Sequence, residues 1–171
     1  VSRCPCEADM PPMIRSVGFV CTGNICRSAM AEAILKELLP DYAELRVLSF
    51  GTLARSGNPA TDGTIITARE IGIDLSKHRA APLSADAVMS LDLILTMESH
   101  HRFDVLSIAP EADGRIFNLG CFAPDDPSAF REIEDPYGGS LHDYRRCIMD
   151  IRECVGVLVE FLEPRLLRTP A

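Results

Sequence analysis

One nine-residue stretch, Val20-Cys21-Thr22-Gly23-Asn24-Ile25-Cys26-Arg27-Ser28, constrains this chain more than any other. It lies between a short apolar run, Val17-Gly18-Phe19-Val20, and a helical pattern that starts at Ser28. A strand that enters a tight polar loop and then a helix gathers unpaired backbone N–H groups around one point, at the positive end of the helix dipole. Such a ring is an anion site. Cys21 heads the loop, and five residues separate it from Arg27. Backbone amides and a fixed positive charge favour a thiolate, and a guanidinium offers a planar fork for two phosphate oxygens. A thiolate at the bottom of a phosphate cradle is a nucleophile aimed at phosphorus. Gly23 omits a Cβ where backbone must approach the anion, and Asn24 tolerates a left-handed conformation. Ser28 can donate to the thiolate, or serve as a plain helix cap. A buried cysteine is often only a packing residue; the loop around Cys21 argues for the nucleophile.

Displacing a phenoxide, alkoxide or amide-like leaving group requires a proton that a thiolate cannot give. Asp135 is the candidate general acid, and the same carboxyl could take a proton from water in a second, hydrolytic step. Pro136 biases Asp135 toward an extended conformation and so fixes where the carboxyl points. An isolated Asp-Pro pair is more often turn chemistry.

At these residues the chain resembles the low-molecular-weight protein tyrosine phosphatase family, whose signature is C-x5-R-S with an Asp-Pro far downstream. Cys21 to Ser28 fit that loop at every position, Asp135-Pro136 supply the second element, and the likeness runs from about Ile14 to Leu162. The resemblance implies hydrolysis of phosphotyrosine in proteins through a cysteinyl-phosphate intermediate. It implies that Thr22, Gly23, Asn24, Ile25, Cys26 and Ser28 surround the phosphate and that Tyr137 forms an aromatic wall, although Tyr137 could equally be a loop anchor. Ser49 and His78 match positions that brace the loop near Asn24. In similar proteins the neighbour at Cys26 forms a reversible disulfide with the catalytic thiol, which guards it against over-oxidation; the alternative is a small packing residue. The implied partner is a phosphorylated protein, an autophosphorylated tyrosine kinase being one candidate.

Other branches share this scaffold. Arsenate reductases of this type add two redox cysteines, the first directly after the third strand, where this chain has Met97-Glu98-Ser99-His100 and no cysteine nearby. Arginine phosphatases resemble it at Asp135-Pro136-Tyr137-Gly138-Gly139-Ser140 and Ala81 to Asp86, but tend to carry a small Thr where this loop has Ile25. The bulk of Ile25 narrows the pocket against a branched guanidinium and favours phosphotyrosine. A pocket wall after the second strand falls to Leu53 or Arg55. A non-catalytic phosphate-binding module would be expected to lose the thiol or the acid, and both are present.

A formal net charge of −8 over 171 residues argues against nucleic acid or an anionic membrane as partner. The positive charge at the site must therefore be local, from amides and Arg27, and the mechanism requires no metal or other cofactor. No apolar run reaches the roughly 18 residues of a membrane span, and no signal pattern opens the sequence. Seven cysteines without an export signal point to reduced thiols in the cytoplasm. A lone Cys4-Pro5-Cys6 lacks the second ligand pair of a zinc site, and the adjacent His100 and His101 diverge on a helix and read as solvent-facing.

Residues 1–13 read as a loosely held extension, 14–163 as one domain and 164–171 as a tail. The fold expected is α/β: a four-stranded parallel sheet with helices on both faces and the phosphate loop after the first strand. Strands are expected at 15–21, 46–50, 92–97 and 115–119, with a helix opening at Asn58-Pro59 and closing at Gly72. Ser140-Leu141-His142-Asp143 has capping-box character. Leu141, Tyr144, Ile148, Ile151, Val155, Leu158 and Leu162 then step by threes and fours, a long helix with one face on the sheet. Cys147 and Cys154 fall beside that stripe, and Cys121 has no evident partner.

Overall fold

A computed structural model describes residues 11–42, 44–124 and 131–166. Four short strands, β1 (Ser16–Cys21), β2 (Arg46–Gly51), β3 (Leu93–Thr96) and β4 (Ile116–Asn118), pair in parallel in the order β2-β1-β3-β4. Helices α1 (Arg27–Leu38), α2 (Asp62–Glu70), α3 (Ala85–Met89), α4 (Ser99–Ile108) and α5 (Leu141–Leu162) connect or follow them. This is the expected architecture, in a single domain. None of the helices among the described residues is long and apolar enough to cross a membrane.

Side chains alternate between the two faces of a strand. Val17, Phe19 and Cys21 of β1, with Leu93 and Leu95 of β3, join a core with α1 and α5 residues such as Met30, Ile34, Ile151 and Leu158. Val20, Ile94 and Ile116 join a second core with Val88, Leu91 and Val105 from the α3 and α4 side. Burial on both faces explains why β1 and β3 read as continuous apolar runs rather than alternating ones. The strand order reverses beside β1: the chain leaves β1 for one neighbour, β2, and later returns to the other, β3. Loops after β1 and β3 therefore diverge, and the crevice at their carboxyl ends is where such sheets take ligands.

The α5 stripe is as expected, with Tyr144, Cys147, Ile148, Ile151, Cys154, Val155, Leu158 and Leu162 buried, whereas Leu141 is exposed. The capping box forms between Ser140 and Asp143. Helix α2 starts later than Asn58-Pro59 suggested. Pro59 bridges antiparallel to Arg79, and the Thr61 hydroxyl caps the helix by accepting from the Thr64 N–H. An extended bridge thus took residues that Pro at N1 would have started. Gly72 follows the helix with φ 88°, the left-handed stop expected there. Cys121 is disulfide-bonded, against the expectation of a reduced and unpartnered thiol; Cys21, Cys26, Cys147 and Cys154 are free. Cys4-Pro5-Cys6 and most of the expected extension lie outside the described residues, as do 167–171 of the tail. The Ile14 N–H donates to the Arg165 carbonyl at 3.0 Å.

Strand β2 carries the fold to the site. Its last residue, Gly51, pairs with Cys21, and a Cβ there would stand 2.7 Å from the Thr22 carbonyl oxygen and 2.8 Å from the Asn24 nitrogen. Those are backbone atoms and cannot swing aside. Gly51→Ala should destabilise the protein by about 1–3 kcal/mol and weaken binding of inorganic phosphate. Urea unfolding and phosphate titration check this, and a variant with native stability and native affinity would contradict it.

Candidate active site

Residues 21–27 turn from β1 into α1 with Asn24 as the sole positive-φ non-glycine among the described residues, at φ 54°. That conformation is held by side-chain bonds. Asn24 Oδ1 accepts the Ala81 N–H at 2.8 Å, and Asn24 Nδ2 donates to Ser28 Oγ and Ser49 Oγ, each at 2.8 Å. Ser49 in turn donates to Glu32, and His78 Nε2 donates to the Asn24 carbonyl at 2.7 Å. Ser49 and His78 thus meet the loop where expected. Glu32 extends the bracing and was not anticipated, because a glutamate on a helix is usually a solvated charge. A Cβ on Gly23 would meet Ile25 Cγ1 at 3.3 Å, a tight contact with a neighbouring side chain.

Cys21 Sγ receives the Asn24 N–H at 3.3 Å and lies 3.0 Å from Ser28 Oγ. Ser28 is not the helix cap; that place falls to Cys26, whose side chain makes no capping bond. The Ser28 hydroxyl is left for the sulfur and the Phe50 carbonyl. Cys26 is buried, with Sγ 3.4 Å from the Thr61 hydroxyl, which also meets Tyr144 Oη at 3.2 Å. Burial pushes its thiol up, against hydrogen bonds from Thr61, Thr64 and Tyr144.

Arg27 is 1 % exposed. Nη1 donates to Glu98 Oε2 at 2.6 Å and to the Ile133 carbonyl at 2.9 Å, and Nη2 donates to Asp135 Oδ2 at 2.8 Å. Burial works against the charged form, but the Glu98 bond and the negative charges of Asp135, Cys21 and Glu98 outweigh it and hold the proton more firmly than usual. Nε is buried with no partner among the described residues. An unpaired guanidinium N–H costs free energy unless something fills it, and a phosphoryl oxygen has the right polarity.

The segment bearing Asp135 is fastened to the end of β3: the Ile133 N–H donates to the Met97 carbonyl at 2.9 Å, and the Ile133 side chain is buried. Asp135 Oδ1 accepts the Tyr137 N–H at 3.1 Å, which sets the carboxyl's orientation. Asp135 and Tyr137 join Cys21, Thr22, Gly23, Ile25, Cys26 and Arg27 around a cavity of about 220 Å³. Leu53 and Arg55 are not among its lining residues, so the wall assigned to them falls to Tyr137 and Ile25.

His101 corrects the sequence reading. It is fully buried, while His100 is 57 % exposed. Neighbouring residues on a helix do diverge, but only one of them points to solvent. His101 Nδ1 accepts the Glu98 N–H at 3.1 Å, and Nε2 lies 2.9 Å from Thr22 Oγ1. Ligand atoms of Glu98, His100 and His101 lie within 4.8 Å of one another. A cation there would have to displace one of the His101 ring contacts and compete with Arg27 for Glu98.

Comparison with known proteins follows the same lines. A family profile described as low molecular weight phosphotyrosine protein phosphatase matches residues 16–166. A probable low molecular weight protein-tyrosine-phosphatase, EpsP of Ralstonia nicotianae, is 36% identical over 147 residues, 86% of this chain and 95% of that protein. The crystal structure of the tyrosine phosphatase AmsI of Erwinia amylovora superposes with a TM-score of 0.81 at 34% identity, covering 88% of this chain and 95% of that one. The YwlE arginine phosphatase from Geobacillus stearothermophilus superposes with a TM-score of 0.78 at 31% identity, covering 87% and 93%.

Burial, with the charges of His100 and Arg27, pushes the His101 imidazole down from 6.5 to about 3. Between those values the unfolded chain binds a proton that the folded one does not, so this group's contribution is complete above pH 6.5 and is lost as pH falls toward 3. Unfolding free energy of the wild type should therefore drop across that interval with a slope of up to about one proton, and His101→Gln should lack that component. Denaturant titrations at several pH values measure it; parallel curves for the two proteins would contradict it.

Proposed function

The chain belongs to the low molecular weight phosphotyrosine protein phosphatase family, and from that footing we propose that it hydrolyses phosphotyrosine in proteins with Cys21 as nucleophile and Asp135 as general acid and base. The carrying observation is the arrangement at one pocket: the sulfur under an amide and a hydroxyl, a buried guanidinium with a free Nε–H, and a carboxyl on the same guanidinium.

The thiolate attacks phosphorus as the bond to the phenolic oxygen breaks, and Asp135 delivers its proton to that oxygen. Water then attacks the cysteinyl phosphate, Asp135 takes its proton, and the P–S bond breaks to return the thiolate and inorganic phosphate. The loop amides and Arg27 hold the charge that builds on the equatorial oxygens. A bidentate grip through Nε and Nη2 requires Asp135 to release Nη2, which frees the carboxyl for the leaving group.

Ile25 on the pocket wall supports an aromatic ester over the branched guanidinium of phosphoarginine, and Tyr137 offers a ring for stacking. The likeness to an arginine phosphatase makes that substrate the competitor to test. The free thiols of Cys21 and Cys26 support a reducing compartment, the cytoplasm, as the site of action; the disulfide at Cys121 stands against it. Phosphotyrosine in proteins is the product of tyrosine kinases, and we place a kinase's own phosphotyrosines among the candidate substrates.

Hydrolysis of aryl phosphates with graded leaving groups tests the roles. Cys21→Ser should lower turnover by about a thousandfold or more. Asp135→Ala should cost about a hundredfold on poor leaving groups and much less on activated ones; equal loss on all would remove Asp135 as the acid. With phosphotyrosine and phosphoarginine peptides side by side, Ile25→Thr should move preference toward phosphoarginine. An unchanged ratio would remove Ile25 as the selector.

A further inference from the structure

His101 is a buried ionisable group for which the reaction above has no use. Its Nδ1 accepts the Glu98 N–H, so the neutral ring carries its hydrogen on Nε2. An imidazolium would instead set N–H against N–H at Glu98. Nε2 therefore donates to Thr22 Oγ1 across 2.9 Å. With its oxygen engaged as acceptor, the Thr22 hydroxyl still has a hydrogen to place, and among the described residues it has no other hydrogen-bond partner. Thr22 is half-buried and lines the cavity above Cys21. A phosphoryl group bound there offers only acceptors.

We propose that His101 is a positioning residue: by donating to Thr22 Oγ1 it turns the Thr22 hydroxyl hydrogen into the pocket, where it adds a side-chain donor for a phosphoryl oxygen to the ring of amides. The inference rests on the phosphatase reading of the pocket and adds two residues to it. A histidine suits the task because one planar ring spans from the Glu98 amide to the threonine. An asparagine in its place keeps an acceptor where Nδ1 lies but does not reach the threonine. A glutamine reaches the Nε2 position with an N–H.

Inorganic phosphate binding, measured by calorimetry, tests this without requiring turnover. Thr22→Val and His101→Asn should each weaken phosphate by about fivefold to tenfold, the range for one neutral hydrogen bond. The double variant should be no more than about twofold weaker than either single one, because both remove the same donor. Thr22→Ser and His101→Gln should bind within about threefold of wild type. Native phosphate affinity in Thr22→Val would overturn the proposal, as would losses that multiply in the double variant. Thr22→Val decides the matter if His101→Asn does not fold. A wild-type protein that binds phosphate yet leaves aryl phosphates intact would sink the phosphatase reading, and the binding series would still decide this one.

Discussion

The structure depends on a charge buried in the wrong place for anything but its function. A guanidinium excluded from water costs several kcal/mol unless its donors are matched, and Arg27 is matched on one edge by Glu98, the Ile133 carbonyl and Asp135. These partners come from the end of β3 and from the segment that precedes α5, regions distant in sequence from the loop. The arginine therefore ties three parts of the chain to one point. What remains unmatched, Nε, faces the requirement of a ligand rather than of the fold. Site and scaffold are in this sense held by the same residue.

The second layer of constraint is the backbone of the loop. A left-handed backbone is uncommon for residues with a side chain, asparagine tolerating it better than most, and at Asn24 it is held by a web in which the residue bonds outward to Ala81, Ser49 and His78 and inward to Ser28. Gly51 lets the strand approach that web closely. The cradle is thus held in shape by its own side-chain hydrogen bonds. Preorganised donors are worth more than donors that must be assembled.

How much of this was legible beforehand follows from the range of each signal. The loop, the Asp-Pro element, the Ser140–Asp143 cap and the α5 stripe are local patterns, and each maps onto the structure because local chemistry decides it. Helix α2 was misplaced at its start because the Pro59–Arg79 bridge joins segments twenty residues apart. Glu98, at the cap of α4, and Glu32, on α1, escape notice in the sequence because an acidic residue at or on a helix is unremarkable until its partner is known. His101 was read outward because adjacency shows that two side chains diverge without showing which one turns in. A helical wheel from Ser99 to Ile108 would have placed His101 and Val105 on one face, and Val105 is buried.

The carboxylate of Asp135 on Nη2 gives the pocket an anion of its own. On the proposed mechanism an incoming phosphoryl group does not meet a bare cation; it takes the place of Asp135 on Nη2. The arginine is never left without a negative neighbour at any stage of the cycle. On the proposed mechanism the side chain that carries the proton is also the arginine's resident counter-ion, so substrate entry and proton transfer share one short excursion of Asp135.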